Sequence, residues 1–201
     1  MKLYFGPVSG NSYKLRVLCA LLAVPFEEVA VDLEHGEHRS AAFLRLNPRG
    51  EVPVLEDGEV RLWDSAACLV YIARRHGGET WCPADPAGLA EVTQWLALAA
   101  TELQCGLQYA RRGVLRGRWT LGDAERAQAF GRSGLRVLEG RLEGHRWLAL
   151  DRPTIADIAC FAYAETAPEA GVPLDPCPRI LAWLERCRAL PRWPARPVPR
   201  R

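Results

Sequence analysis

The stretch of sequence that decides the fold is NPRGEVPVLEDGEVRLWDS, residues 47–65. Within it, two short strand-like runs, residues 52–56 and 59–63, flank Asp57-Gly58. An Asp-Gly pair between two such runs is the strongest short-range signal for a hairpin turn. The stretch therefore predicts two antiparallel strands joined by a tight turn.

The same stretch carries a proline and an acid-Ser pair at informative positions. Proline has no N–H to donate to a neighbouring strand, so Pro53 predicts an unpaired edge beside Val52. Asp64 is placed to cap a helix over residues 66–76, and Ser65 lies where that helix begins. Because free N–H groups and the dipole at a helix N-terminus favour an anion, this helix start is a candidate anion-binding position.

Ahead of this stretch, strand and helix signals alternate. Residues 2–5 have the pattern of a strand, and residues 11–24 repeat leucine at helical spacing before Pro25 ends the helix. Residues 26–31 then alternate in the manner of a second strand. A strand, a helix and a strand in this order predict a β-α-β unit with parallel strands.

After the predicted hairpin and helix, the composition and the periodicity of the sequence change. Residues 78–86 are rich in glycine and proline and suit an interdomain linker. Every periodic segment beyond them is helical, and the last eleven residues contain four prolines and four arginines. We therefore expect an α/β N-terminal domain over residues 1–77, and an all-helical domain over residues 87–201 that ends in a disordered tail.

Composition excludes several classes of protein. The chain has 201 residues, is 49% hydrophobic and carries a formal net charge of +2, which is too small for a nucleic-acid surface. Its longest apolar runs are far shorter than the roughly 20 residues of a membrane span. Seven cysteines without a C-x-x-C pair argue against a disulfide framework and a zinc site, and favour a reducing, cytoplasmic location. Only Lys2 and Lys14 are lysines, so we expect Arg, His or backbone donors to meet an anionic ligand.

The N-P-x-x-x-V-P-x-L pattern of residues 47–55 and the acid-Ser pair at 64–65 together resemble the glutathione S-transferases. The resemblance extends to SGNS at residues 9–12 and GEHRS at residues 36–40, and more loosely to RPTIAD at residues 152–157. It implies a thioredoxin-like α/β N-terminal domain followed by an all-α C-terminal domain. It also implies glutathione as co-substrate, no metal, and a homodimer.

The resemblance assigns roles at the peptide edge and at the helix start. In the family the Val52–Pro53 bond is cis, and the backbone of Val52 pairs with that of glutathione as an added strand. Ser65 holds the γ-glutamyl carboxylate, and Asp64 lies near the γ-glutamyl amine. Because Asp64 stands where glutamate is usual, the amine contact is left open between a direct contact, a water and the partner subunit. Asp64 also has a purely structural interpretation as an N-cap.

The glycyl end of glutathione has two candidate partners. His38 matches a position that contacts the glycyl carboxylate in some classes of the family, although a solvated loop histidine fits the sequence equally well. Glu51 stands where many relatives have Lys or Gln, and its charge would repel that carboxylate. Arg49 is the alternative partner, and the sequence does not decide between them.

Ser9 and Asn11 are the candidate catalytic residues, because they follow the first strand where the thiol of a peptide paired at Val52 should arrive. A free thiol with a pKa near 8.5 is only a few per cent thiolate at neutral pH. A hydrogen bond to a charged group contributes about 1.5 to 3 kcal/mol, which lowers the thiol pKa by roughly one to two units. Either side chain could donate that bond, and either could instead cap the first helix.

The predicted function is transfer of the glutathione sulfur to a small, electrophilic, largely apolar acceptor, as in detoxification. Tyr109 and Arg112 are candidate walls of the acceptor pocket. No cysteine precedes Cys19, which we expect to be a core residue, so thioredoxin-type redox chemistry has no nucleophile. The alternatives are a glutathione-dependent disulfide or peroxide reductase and a non-catalytic binding scaffold.

Overall fold

The computed structural model describes residues 1–116 and 120–197. They form two compact units. The first comprises residues 1–78 together with the C-terminal segment from Pro191, and the second comprises residues 79–190.

The first unit is built on a four-stranded sheet with the strand order β2-β1-β3-β4. The strands are β1 (Lys2–Phe5), β2 (Glu27–Ala30), β3 (Val54–Asp57) and β4 (Val60–Trp63). Strand β1 is parallel to β2 and antiparallel to β3, and β3 is antiparallel to β4. Both the predicted β-α-β unit and the predicted hairpin at Asp57-Gly58 are confirmed.

Three helices complete this unit: α1 (Gly10–Leu22), α2 (Ala41–Leu46) and α3 (Ser65–Ile72). Each begins at a side-chain cap, namely Ser9 for α1, Ser40 for α2 and Asp64 for α3. A 3-10 turn, Glu37–Arg39, precedes α2, and a π-helical turn, Ala73–Gly77, follows α3.

The core of the first unit lies where α1 and α3 pack together against the sheet. Leu15 and Leu18 of α1, Leu55 of β3 and Leu69 of α3 are completely buried there. A second cluster joins Val52 to Val31, Val54 and Phe43, the last of these from α2. The side chain of Val52 is therefore anchored in the core just ahead of β3.

The C-terminal segment belongs to the first unit, and there the expected disordered tail is wrong for the residues that the structure describes. The Tyr13 hydroxyl of α1 donates to the Pro194 carbonyl at 2.8 Å, and the Trp193 indole N–H donates to the Tyr13 hydroxyl at 3.1 Å. The Arg196 guanidinium lies 4.4 Å from the Tyr13 ring centroid. An aromatic anchor and its hydrogen bonds thus order a segment whose Pro/Arg composition predicts disorder. Residues 198–201 of the expected tail lie outside the described residues.

The second unit is helical, with no strand among residues 79–116 and 120–190. Its helices are α4 (Pro86–Leu98), α5 (Tyr109–Arg116), α6 (Leu121–Arg141), α7 (Ile155–Ala164) and α8 (Pro178–Arg188). A π-helical stretch, Ala99–Gln108, joins α4 to α5, and a 3-10 turn, Pro168–Ala170, lies between α7 and α8. The π-helical stretch packs closely on α6, because a Cβ added to Gly106 would lie 2.3 Å from the Gly131 nitrogen.

Helix α7 is buried along its whole length and begins at a capping box. The Thr154 hydroxyl accepts from the Ala156 N–H at 3.2 Å, and the Asp157 carboxylate accepts from the Thr154 N–H at 2.9 Å. Asp157 also accepts from the Leu148 N–H at 3.1 Å and from the Trp183 indole at 3.0 Å. This one carboxylate therefore ties the start of α7 to a neighbouring loop and to α8.

None of the helices within residues 1–116 and 120–197 combines the length and apolar character that a bilayer crossing requires.

Candidate active site

The turn between β1 and α1 is locked by its own hydrogen bonds. The Gly6 N–H donates to the Ser12 hydroxyl at 3.2 Å, and the Ser9 N–H donates to the Gly6 carbonyl at 3.0 Å. The Ser9 hydroxyl oxygen accepts from the Ser12 N–H at 3.3 Å and so caps α1. Capping uses a lone pair of this oxygen, so the O–H of the partly exposed Ser9 remains able to donate to a ligand.

Val52 and Ser9 flank the same glycine. A Cβ added to Gly6 would lie 3.2 Å from Val52 Cγ2 and 3.3 Å from Ser9 Cβ, and only 2.6 Å from Leu33 Cδ1. Glycine at position 6 thus lets the segment before β3 approach the start of α1. The Val52–Pro53 bond is cis, which confirms that prediction.

Asp64 adopts an unusual backbone conformation at the start of α3. Its φ of 81° is positive, which is uncommon for a residue other than glycine, and its ψ is 127°. Its carboxylate holds this conformation by accepting from the N–H groups of Ala66 at 2.8 Å and Ala67 at 3.4 Å. The second carboxylate oxygen lies 3.8 Å from the Arg49 guanidinium. Asp64 is therefore an N-cap, as predicted, with one oxygen facing a neighbouring cation.

Ser65, Asn11 and Lys14 form a hydrogen-bonded triangle between α3 and α1. The Ser65 hydroxyl donates to Asn11 Oδ1 at 2.9 Å, and the Lys14 ammonium donates to Asn11 Oδ1 at 2.9 Å and to the Ser65 hydroxyl at 3.2 Å. Lys14 is only 3% exposed and Ser65 only 6%. Two predicted site residues that are far apart in the sequence are thus brought into direct contact.

The turn over residues 47–51 is held together by Asn47, which is 1% exposed. Its side-chain amide accepts from the Arg49 N–H at 2.9 Å and donates to the Glu51 carbonyl at 2.6 Å. Gly50 has a φ of 62°, and a Cβ added to it would lie 3.0 Å from the His38 carbonyl oxygen. The close approach places the 3-10 turn that carries His38 against this segment.

Arg49 offsets the acidic charge of the same turn. Its guanidinium lies 3.3 Å from the Glu51 carboxylate, and it stands 5.9 Å from the centroid of the half-exposed Trp63 ring. Because Arg49 is half exposed, its position is set by these contacts rather than by burial. The Glu51 carboxylate is therefore ion-paired within the turn itself.

Tyr109 and Arg112, the predicted acceptor walls, lie three residues apart on α5 of the second unit, and both are exposed. The two residues between them, Ala110 and Arg111, are both buried, and the guanidinium of Arg111, which is 3% exposed, pairs with the Glu169 carboxylate at 2.7 Å. Tyr109 and Arg112 stay predictions, and Arg111 anchors the helix that presents them.

The sequence reasoning missed Lys14 as a neighbour of the site. The signal was available, since Lys14 stands three residues after Asn11 on a helix, a spacing that brings two side chains together. Cys19 is a buried core residue, as predicted, and burial raises the pKa of its thiol to about 12. Across residues 1–116 and 120–197, no group of three or more His, Cys, Asp or Glu is placed to hold a metal ion.

Comparison with known proteins identifies the class that this fold and site define. Residues 1–74 match the family model described as glutathione S-transferase, N-terminal domain, and residues 124–191 match glutathione S-transferase, C-terminal domain. The chain belongs to the glutathione S-transferase family, and it is a glutathione transferase.

Among its relatives, maleylacetoacetate isomerase of Pseudomonas aeruginosa is 32% identical over 90% of this chain and 87% of that protein. Glutathione S-transferase theta-1 of Bos taurus is 29% identical over 94% of this chain and 82% of its own length. A crystal structure of glutathione S-transferase from Pseudomonas fluorescens Pf-5 covers 96% of this chain and 97% of its own, with a TM-score of 0.91 and 32% identity.

Proposed function

We propose that Ser9 and Asn11 activate the thiol of glutathione, which then attacks a small, electrophilic, largely apolar acceptor. The observation that carries this proposal is the Ser9 hydroxyl, which caps α1 through its oxygen and keeps its O–H free to donate beside Gly6 and Val52. The thiol releases its proton to water, the resulting thiolate sulfur forms a bond to the electrophilic carbon, and the leaving group departs with its electron pair. Stabilising the thiolate is the main task of the protein, because the thiolate is the nucleophile.

In the proposed glutathione site, a different segment of the protein binds each part of the ligand. The backbone of Val52, ahead of Pro53, pairs with the cysteinyl backbone, and the start of α3 receives the γ-glutamyl end. There Ser65 binds the carboxylate, and the Asp64 oxygen that faces Arg49 lies near the amine. These roles are supported by the clustering of the residues in one unit.

At the glycyl end we favour His38 over Arg49 as the partner of the carboxylate. Arg49 already lies near two carboxylates, those of Glu51 and Asp64. His38 is carried on a turn packed against Gly50, at the same end of the segment. In this arrangement Arg49 offsets the local acids while His38 meets the ligand.

A panel of acceptors tests the proposed reaction. With glutathione and an aryl halide, we expect enzyme-dependent formation of the thioether, followed by its absorbance. A hydroperoxide and a glutathionylated disulfide in parallel reactions test the reductase alternative. Turnover of these two without thioether formation would contradict the transferase proposal, and absence of glutathione binding by calorimetry would favour the scaffold.

A second candidate reaction is glutathione-dependent isomerisation. Two relatives named maleylacetoacetate isomerase are 32% and 33% identical to the chain. Addition of the thiolate to an activated cis double bond, rotation about the resulting single bond and loss of the thiolate would isomerise such a compound without consuming glutathione. Incubation with a maleyl compound, with both isomers and glutathione measured, separates this activity from conjugation.

We also propose that the protein is a cytoplasmic homodimer that serves detoxification. All seven cysteines are free thiols, which supports a reducing compartment. On α4 and the stretch after it, Trp95 and Ala99 are buried within the unit, whereas Ala97 and Ala100 are exposed. The small exposed residues, rather than Trp95, would permit close packing of a second subunit.

Sedimentation equilibrium at micromolar concentration is expected to give twice the mass of the 22.4 kDa chain. A monodisperse monomer would rule out the homodimer. Replacing Ala100 by a bulky charged residue, such as Ala100→Arg, should weaken the dimer, whereas the same change at the exposed Val137 of α6 serves as a control.

A further inference from the structure

A buried lysine lies between the two ends of the proposed glutathione site. Lys14, on α1, is 3% exposed, and its ammonium reaches both Asn11 Oδ1 and the Ser65 hydroxyl. Lysine is almost never fully buried unless its charge is paired or hydrogen-bonded. The other lysine of the chain, Lys2, is 39% exposed and pairs with Glu27 on the sheet. The burial of Lys14 therefore calls for a role that a surface lysine would not fill.

The ammonium decides which way the Asn11 amide faces. An ammonium group has three donors and no acceptor, so the Asn11 atom beside it must be the oxygen. The Ser65 hydroxyl, which donates to the same oxygen, enforces the same orientation. The NH₂ group of Asn11 is consequently turned away from Lys14 and is kept as a donor.

Lys14 also sets what the Ser65 hydroxyl can do. That hydroxyl accepts from Lys14 and donates to Asn11, so its only proton is already used in the described arrangement. Because Lys14 donates to the same Asn11 oxygen, the Ser65 proton can rotate toward a ligand carboxylate without leaving that oxygen unsatisfied. The ammonium thus allows the Ser65 proton to turn from Asn11 to the ligand, and it stays hydrogen-bonded to the Ser65 oxygen that would bind the anion.

We propose that Lys14 is a positioning residue that couples the two ends of the glutathione site, orienting the Asn11 amide toward the sulfur and releasing the Ser65 hydroxyl for the γ-glutamyl carboxylate. The inference rests on the proposed function, because it takes Asn11 and Ser65 as ligand-binding residues. Because Lys14 is only 3% exposed, its proposed effect passes through these two side chains and not through contact with the sulfur or the acceptor.

The test compares Lys14→Met with Lys14→Arg, and uses Lys2→Met as the matched control. Methionine keeps the length and apolar stem but has no donor, whereas arginine is again a donor-only cation. In Lys14→Met we expect the KM for glutathione to rise about tenfold and the bound thiol to titrate about one pH unit higher. Lys14→Arg should recover most of both effects, and Lys2→Met should match the wild-type protein.

Folding of each variant is checked by circular dichroism before the kinetic comparison. A folded Lys14→Met with wild-type KM and titration would overturn the inference, as would a folded Lys14→Arg that recovers neither. A wild-type protein that binds no glutathione would instead overturn the proposed function. These two failures are therefore distinguishable.

If Lys14→Met does not fold, a double-mutant cycle on glutathione affinity replaces it. Asn11→Ala and Ser65→Ala remove the two hydrogen-bond acceptors of the ammonium that were described above, separately and together. Both side chains bond to Lys14, and Ser65 also donates directly to Asn11, so independent action of the two is incompatible with the proposed cluster. The double variant should be weakened clearly less than the product of the two single effects. Simple multiplication of the two effects would overturn the inference.

Discussion

Ser9→Ala is expected to raise the pKa of the bound glutathione thiol by about one to two units and to slow conjugation at neutral pH roughly ten- to a hundredfold. The reason is that the Ser9 O–H, left available by the capping geometry, would stabilise the thiolate by donating to it. Affinity for glutathione should change much less, because the other contacts are proposed to lie at residues 52, 64 and 65. Part of the lost rate should return at alkaline pH, where the thiol ionises without help.

The measurement is the thiolate absorbance of the bound complex, titrated against pH. Ser9→Ala also removes an N-cap, which costs about 0.5 to 2 kcal/mol of stability. Ser9→Gly separates the two effects, since glycine caps nearly as well but has no hydroxyl, and it should show the same shift in the thiol pKa. Ser40→Ala, which removes the equivalent cap of α2, should leave the titration unchanged.

Asn11→Ala completes the comparison. An unmoved titration in Ser9→Ala together with a shifted one in Asn11→Ala would transfer the role to the Asn11 amide, whose NH₂ is turned away from Lys14. No shift in either variant would leave the backbone N–H groups at the start of α1 as the stabilising element, and Ser9 as only a cap.

Asp157→Ala is expected to lower the free energy of unfolding of the second unit by about 3 kcal/mol or more. Asp157 is 1% exposed, and its removal would leave the Thr154 N–H, the Leu148 N–H and the Trp183 indole without an acceptor in the core. Each such unsatisfied donor costs about 1 to 3 kcal/mol. Chemical denaturation followed by tryptophan fluorescence measures the loss.

Asp123→Ala is the matched control for this experiment. Asp123 lies in the first turn of α6 and accepts from the Thr120 hydroxyl, but its side chain is 47% exposed. Water can therefore replace its contacts, and the loss should stay at or below about 1 kcal/mol. A loss in Asp157→Ala no larger than that of the control would show that the buried network contributes little.

The pH dependence of Asp157→Asn gives an independent check. Burial raises the pKa of the Asp157 carboxyl to about 6. The hydrogen bonds from Thr154, Leu148 and Trp183 act in the opposite direction, but their effect on the pKa is smaller. The unfolded carboxyl has a pKa of about 3.9, so the folded state binds the proton more tightly, and this group's contribution to stability falls as the pH rises from about 4 to about 6. Asparagine does not titrate, so its deficit relative to the wild-type protein should be larger near pH 4.5 than near pH 7.

Local signals in the sequence predicted much of the first unit correctly. Asp57-Gly58 predicted the hairpin, because two adjacent residues determine that turn. Pro25 correctly predicted that the first helix ends before it. Ser9 and Asp64 are caps, as their positions ahead of apolar runs predict. In the second unit, the capping box at Thr154 and Asp157 depends in the same way on two residues at a short, fixed spacing.

Segments that depend on distant contacts were predicted less well. Residues 191–197 have the composition of a disordered tail, yet Trp193 and Pro194 are held by Tyr13, far away in the sequence. Within the domain that was predicted to be helical, Ala99–Gln108 is π-helical, and this stretch packs tightly against α6 at Gly106. Neither contact can be predicted from the segment's own residues, because the contacting residues belong to α1 in the first case and to α6 in the second.

The sequence by itself determined the order of strands and helices, the family, and the residue types of the candidate site, since turns, caps and motifs depend on neighbours within a few positions. Only the tertiary structure decided that Asn11, Lys14 and Ser65 meet, and that Ser9 and Val52 lie on either side of Gly6. The physical reason is that these contacts depend on the packing of α1 against α3 and of the segment before β3 against the β1–α1 turn. Such packing buries a lysine that composition alone would place at the surface.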